Sequence, residues 1–328
     1  MPDNEAAVRK LHEKIDDYRL TVGAITAFGH VIIRYYSGTF RMGKKLQPSP
    51  ANRVQAKKPV TPDVLAQGSD VKIIGEVKKG FPKDRNRWLQ DLKQVEKYDD
   101  ELKGWPDGDI KDHDLILFVH YPRAQALVDY TQEQIQKGTV TFNRKLAIVE
   151  YNRDSESSTF WTLKRIWGDI TNSILSERLR QVITINADEI VEELSSLWFY
   201  DSEPELPYTM SVIWDKVFSE KATLEAYRKA RGRKTLELSF TVDEILEKLR
   251  LYFSYKDSSF PSRDWVEHAM DAFVKFGRAD KTAVGYTVYY HRVEIDLLDY
   301  FIREWIERSV DVRELIDKMA KQTDESSS

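Results

Sequence analysis

The seven residues Asp114–His120 read Asp-Leu-Ile-Leu-Phe-Val-His, with five apolar side chains in unbroken succession. Such a run suits a strand covered on both faces, which requires helices on both sides of a sheet. The neighbouring chain supplies them. Residues 84–103 place Trp88, Leu89, Leu92, Val95 and Leu102 on one side of a predicted helix, ended by Gly104 and Pro106. Residues 124–136 read as another helix, and 60–66, 71–79 and 145–151 as strands, with a turn at Gln67-Gly68-Ser69. Ahead of them, Val8, Leu11, Ile15 and Tyr18 recur at helical spacing over residues 4–20. Residues 21–40 allow a second helix, a hairpin strand, or one followed by the other. Strands and helices mixed in this way predict an α/β domain over residues 1–200.

Past Pro204 and Pro207 the pattern changes. Residues 211–220, 242–253 and 262–276 read as three helices, Gly277 closes the third, and 286–293 alternate as an aromatic-rich strand. Three helices and a β-ribbon resemble a winged helix-turn-helix over residues 208–320. In that resemblance 262–276 form the recognition helix and 278–292 the wing. A last helix over 294–318 lines up Ile295, Leu298, Ile302, Trp305, Ile306, Val312 and Leu315, to pack on its own domain or to form a homodimer. The tail 321–328 is expected to be disordered.

Composition removes several classes of chemistry. There are no cysteines, hence no disulfides, thiolate catalysis, cysteine-ligated zinc or iron–sulfur clusters. The longest uncharged stretch, residues 20–33, is fourteen residues, short of the ~20 that a membrane span needs. The opening Met1-Pro2-Asp3-Asn4-Glu5 lacks the basic and apolar regions of a secretory signal, so a cytoplasmic protein is expected.

Charge is unevenly spread. Residues 201–328 carry 20 Lys+Arg against 25 Asp+Glu, and the candidate recognition helix holds Asp264, Glu267 and Asp271. That suits a protein partner as well as DNA. Residues 41–97 carry 14 basic and 6 acidic side chains. Arg41, Lys44, Lys45, Arg53, Lys57 and Lys58 follow one another with no acid between them, which fits either a solvated loop or a phosphate-binding surface.

Directly after that segment come Thr61-Pro62-Asp63-Val64 and then Gly75-Glu76-Val77-Lys78. Alternation along a strand puts Glu76 and Lys78 on one face, with Val77 behind them. A short turn brings Asp63 beside Glu76, so two carboxylates and a lysine converge. Carboxylates at close range call for a proton or a cation between them. With only oxygen donors on offer, that cation is Mg²⁺ or Mn²⁺, and the parts suit metal-assisted attack on a phosphodiester.

Pro62-Asp63, twelve intervening residues and Glu76-Val77-Lys78 resemble the PD-(D/E)XK nuclease superfamily, the restriction-endonuclease-like mixed sheet flanked by helices. The resemblance implies that Asp63 and Glu76 bind the metal, that the Val77 carbonyl completes its coordination, and that Lys78 is the base or orients water. A glutamate on the first helix, Glu13 or Glu5, would be a further ligand. Gln94 and Tyr98 match the Gln-x-x-x-Tyr pair of the RecB-like branch: Gln94 supports catalysis and Tyr98 contacts nucleic acid. The function implied is a Mg²⁺-dependent deoxyribonuclease of restriction or genome-defence type. Its rival is a non-catalytic DNA-binding or regulatory protein on a decayed nuclease fold.

Other motifs do worse. Residues 38–45 fall one residue short of a P-loop, and Lys45 stands where Ser or Thr would hold Mg²⁺. The six histidines are scattered without a His-Glu-x-x-His pair, and no Gly-x-Ser-x-Gly elbow occurs.

Overall fold

The computed structural model describes residues 2–48, 58–68, 71–78, 85–106, 108, 112–153, 160–223, 235–256, 258–293 and 295–308. Arg53, Lys57, the end of the expected last helix and the tail lie outside these residues. The chain divides into two compact units. Of the described residues, 20–197 form one, and those before Leu20 belong with 198–308. The sequence reading placed residues 1–19 with the α/β part. Their partners explain the difference: His12 meets Asp299, Lys14 meets Glu205, and the Tyr18 ring packs on Tyr200 and Tyr208.

The α/β unit takes the second part of α1 (Pro2–Tyr36) and then runs β1 (Thr39–Met42), β2 (Gln47–Pro48), β3 (Val64–Gln67) and β4 (Lys72–Lys78). It continues with α2 (Arg85–Glu96), β5 (Leu102–Lys103), β6 (Asp114–His120), α3 (Ala124–Gln136) and β7 (Leu146–Arg153). The last elements are β8 (Phe160–Gly168), α4 (Ser173–Arg180), β9 (Ile183–Asn186) and α5 (Glu192–Ser195). Seven strands form one mixed sheet ordered β1-β3-β4-β6-β7-β8-β9. The centre, β4-β6-β7, is parallel, and the outer pairs are antiparallel. Flanking helices bury both faces. Leu65, Ile74, Leu115, Leu117 and Ile148 join Leu92, Val95 and Leu127 in the core on the α2/α3 side. On the other face the Phe118 ring lies 4.8 Å from Phe28 of α1. Gly75 fits that face because a Cβ there would come within 2.9 Å of Phe118.

Local reading held well at the central strands and less well at element ends. Residues 21–40 resolve as helix and then strand, since α1 runs on to Tyr36 before β1 begins. The helix expected over 84–103 stops at Glu96, and a 3₁₀ turn, Lys97–Asp99, follows. The stop is tertiary: the Asp99 carboxylate accepts from the backbone N–H groups of Asn143 and Arg144, which turns the chain away. β8, α4 and β9 were not anticipated from sequence.

The C-terminal unit contains α6 (Leu206–Val212), continued by a π-helical segment Ile213–Phe218, then β10 (Leu236–Phe240), α7 (Val242–Phe253) and α8 (Arg263–Lys275). β11 (Ala279–Lys281), β12 (Tyr286–Tyr290) and α9 (Leu297–Arg308) complete its described part. The strands form an antiparallel sheet ordered β10-β12-β11. α6 starts earlier than its apolar pattern suggests because Pro207 sits in the first turn, where a missing N–H costs nothing. β10 was not foreseen; its partner β12 lies some fifty residues on. Rings of Trp214, Phe218, Phe273 and Phe301 fill the core. Ile302 and Ile306 of the expected dimer stripe are buried within this unit, whereas Ile295 is exposed. Among the described residues no helix is long and apolar enough to cross a membrane.

Candidate active site

β3 and β4 pair in the register Val64↔Gly75, so one further step sets Asp63 opposite Glu76. Asp63 has just left the strand, and its Oδ2 accepts the Val77 N–H at 2.6 Å. The carboxylate thus closes the end of the ladder while lying beside Glu76. In the next strands Glu76 is level with Leu117, and Leu117 with Ile148, so its side chain rises from the face that α2 covers. Two residues on, Lys78 rises from the same face, as alternation requires.

From above, α2 and the turn after it bring three polar side chains onto this face. Lys78 Nζ lies 3.0 Å from Glu76 Oε1 and 3.3 Å from Asp91 Oδ1. It also reaches Gln94 Oε1 at 3.5 Å. Gln94 Nε2 donates to the Tyr98 hydroxyl, and that hydroxyl donates to Glu76 Oε2 at 2.9 Å, with the Thr61 carbonyl 3.4 Å away. Asp91, Gln94 and Tyr98 follow at spacings of three and four residues, which is why they share one helical face. Glu76 is 4 % exposed, Asp63 8 % and Tyr98 2 %.

Burial and charge pull against each other here. Burial alone would lower the Lys78 ammonium, but the charges of Glu76, Asp91 and Asp63 overturn it, and the net shift is upward. Lys78 is therefore a cation throughout the neutral range. Burial, followed by the charge of Glu76, pushes the Tyr98 phenol up, so it remains a hydrogen-bond donor. Behind it, the ring of His113 meets the Tyr98 carbonyl at 2.7 Å through Nε2. Burial drives the His113 pKa down to about 4, so the neutral ring is the donor.

Asp63, Glu76, Val77, Lys78, Gln94 and Tyr98 are thus brought together as the sequence suggested. Tyr98 takes a part that the sequence did not suggest: its largely buried hydroxyl holds Glu76. Lys78, kept protonated, suits an orienting and charge-stabilising role better than that of a base. Glu13 and Glu5 lie on the part of α1 that belongs to the other unit. Among the described residues no group of three or more His, Asp or Glu side chains is arranged to hold a metal ion. Of the basic segment, Arg41 lies on edge strand β1, Lys44 and Lys45 are exposed after it, and Lys58 lines a cavity beside Gln94 and Tyr98. Asp91 was missed, although its place one turn before Gln94 on the polar side of α2 was a readable signal.

Comparison with protein-family models, with curated proteins and with solved structures finds no match to the chain. The residues themselves carry the functional argument.

Proposed function

We propose that this protein is a divalent-metal-dependent nuclease that hydrolyses phosphodiester bonds in DNA, of restriction or genome-defence type. One observation carries the reading: the buried Asp63 and Glu76 carboxylates stand at the end of β4 with the Lys78 ammonium beside them, and Asp91 of α2 meets the same ammonium. Carboxylates held at close range out of water favour a bound cation between them. The donors on offer, two carboxylates and the Val77 carbonyl, are all oxygen, the chemistry of Mg²⁺ or Mn²⁺. Mg²⁺ is commonly held by one or two carboxylates together with substrate phosphates, so Asp63 and Glu76 suffice on the protein side. When bound, the cation would supply Lewis-acid stabilisation of charge on the phosphoryl and leaving oxygens.

The chain's own groups divide the remaining work. Asp63 and Glu76 anchor the cation, and the Tyr98 hydroxyl fixes the rotamer of Glu76. Lys78, kept charged by its acidic neighbours, presents N–H donors to a phosphate oxygen or an attacking water. Gln94 bridges Lys78 and Tyr98 and sets their spacing. Support for a restriction-endonuclease-like fold comes from the mixed sheet, whose parallel centre carries this cluster at the end of β4. Support for a winged-helix-like C-terminal unit comes from the order helix, strand, helix, helix, hairpin and the sheet order β10-β12-β11. Asp264, Glu267 and Asp271 on α8 make a basic protein surface a better partner for that unit than DNA. The test is cleavage of plasmid DNA in Mg²⁺ or Mn²⁺ by the parent and by Glu76→Gln. Cleavage that survives in Glu76→Gln, or its absence in the parent with either metal, sinks the proposal.

A further inference from the structure

Gln94 and Tyr98 belong to two places at once: the acid–lysine cluster and a cavity of about 540 Å³ in the same unit. The cavity falls within the ~300–1,000 Å³ typical of small-ligand sites. Its lining combines Pro48, Pro59 and Val60 with exposed Lys58 and Lys97 and with Asp100. The frame is held by backbone pairing. Leu46 and Val60 exchange hydrogen bonds of 2.8 and 2.9 Å, and Pro48 pairs with Leu102. A site braced in this way loses little freedom when it is filled.

We propose that this cavity holds one unstacked nucleotide of the strand being cut, so that the substrate is nucleic acid with an unpaired nucleotide at the point of cleavage. The inference rests on the nuclease reading and specifies its substrate. A phosphate at the Asp63–Glu76–Lys78 cluster leaves the adjoining nucleoside within one side chain's width of the cavity, because Gln94 and Tyr98 border both. Flat, apolar proline and valine surfaces suit the face of a base, and the two lysines suit phosphate oxygens on either side of it. Inorganic phosphate alone would leave the proline and valine surfaces uncovered, and an apolar molecule would make no use of the two lysines. A base inside a perfect duplex reaches such a cavity only by leaving its stack, and that costs least where it is already unpaired.

The full-length chain is assayed on one sequence presented as a single strand, as a duplex with one bulged nucleotide and as a perfect duplex. The single strand and the bulge are expected to be cut at least about tenfold faster than the perfect duplex. Val60→Trp, which fills the cavity, should remove that preference, and Lys97→Glu should raise KM for the single strand by about tenfold with little change in kcat. Lys97 is exposed, so its variant carries the test should Val60→Trp fail to fold. Equal rates on all three substrates, or a preference and KM untouched in both variants, overturn the inference while leaving the nuclease reading intact. Should no substrate be cut, the nuclease reading falls, and binding of a fluorescent single-stranded oligonucleotide in Ca²⁺ judges the cavity. Weakening by Lys97→Glu of about tenfold supports a nucleotide site, and unchanged binding overturns it.

Discussion

Glu76 in the α/β unit and Glu304 in the C-terminal unit are both buried, at 4 % and 7 % exposure, and they keep opposite company. Glu304 Oε1 lies 3.0 Å from Arg278 Nη2 and 3.2 Å from Arg308 Nη2, two cations to one acid. Those arginines tie α9 to the start of β11 and to its own last turn. Glu76 shares Lys78 with Asp91 and has Asp63 beside it, so that carboxylates gather round one ammonium. In the first arrangement the acid is outnumbered by its cations. The second gathers carboxylates beside a cavity, and buried charge of that kind marks sites better than exposed charge does. On α8, by contrast, Arg263 pairs with Glu267 and with Asp243, and His268 with Glu203, all at the surface. Such pairs contribute little to stability and point to no chemistry.

The comparison is most sharply broken by kinetics. Lys78→Met, Glu76→Gln and Asp63→Asn should each reduce cleavage by at least about 10²–10³-fold, the usual loss when a group aimed at developing charge is removed. Glu304→Gln should leave turnover per folded molecule unchanged. Equal losses at Glu76 and Glu304 in a steady-state assay would erase the distinction drawn here.

Metal binding sharpens it next. Thermal or urea unfolding with increasing Mg²⁺ or Mn²⁺ should show stabilisation of the parent by about 2.7 kcal/mol when the free ion reaches a hundred times its Kd. Asp63→Asn should lose that response. Glu304→Gln should keep it.

Without metal, the two carboxylates should differ in sign. Glu304→Gln leaves two arginines short of a counter-charge and should cost about 1–3 kcal/mol, below the full figure for a buried pair because Arg278 and Arg308 are partly exposed. Asp63→Asn keeps an oxygen for the Val77 N–H and removes one charge from a crowded acid cluster. It should be neutral, or stabilising by up to about 1 kcal/mol. Denaturant midpoints at neutral pH and low ionic strength decide the matter.

A further effect, confined to acid pH, lies behind the cluster at His113. Its pKa is held down at about 4 in the folded chain against an ordinary 6.5, so the folded state binds fewer protons than the unfolded one. Its contribution is fully present above pH 6.5 and is lost as pH falls toward 4, with a slope of up to about 1.4 kcal/mol per pH unit. Asn at this position retains a donor for the Tyr98 carbonyl without titrating. The stability difference between parent and His113→Asn should therefore change across that window and stay flat above it; a flat difference throughout would show that the ring is charged in the fold.

The sequence by itself determined the central strands and the identity of the cluster. The apolar run at 115–119 and the alternation of Glu76 and Lys78 are local properties of strand geometry, so β4 and β6 were legible, as was the one-face spacing of Gln94 and Tyr98. Only the tertiary structure decided which charges are buried together and in what proportion. Asp91 joins Lys78 because α2 crosses the β4 face, and Tyr98 turns inward because residues 143–144, some forty-five positions on, anchor Asp99. Strand β10, the unit assignment of residues 1–19 and the cavity beside Gln94 likewise depend on partners distant in sequence. Spacing along a chain fixes which side chains share a face, whereas burial and charge balance depend on what packs over that face, and no local pattern contains that.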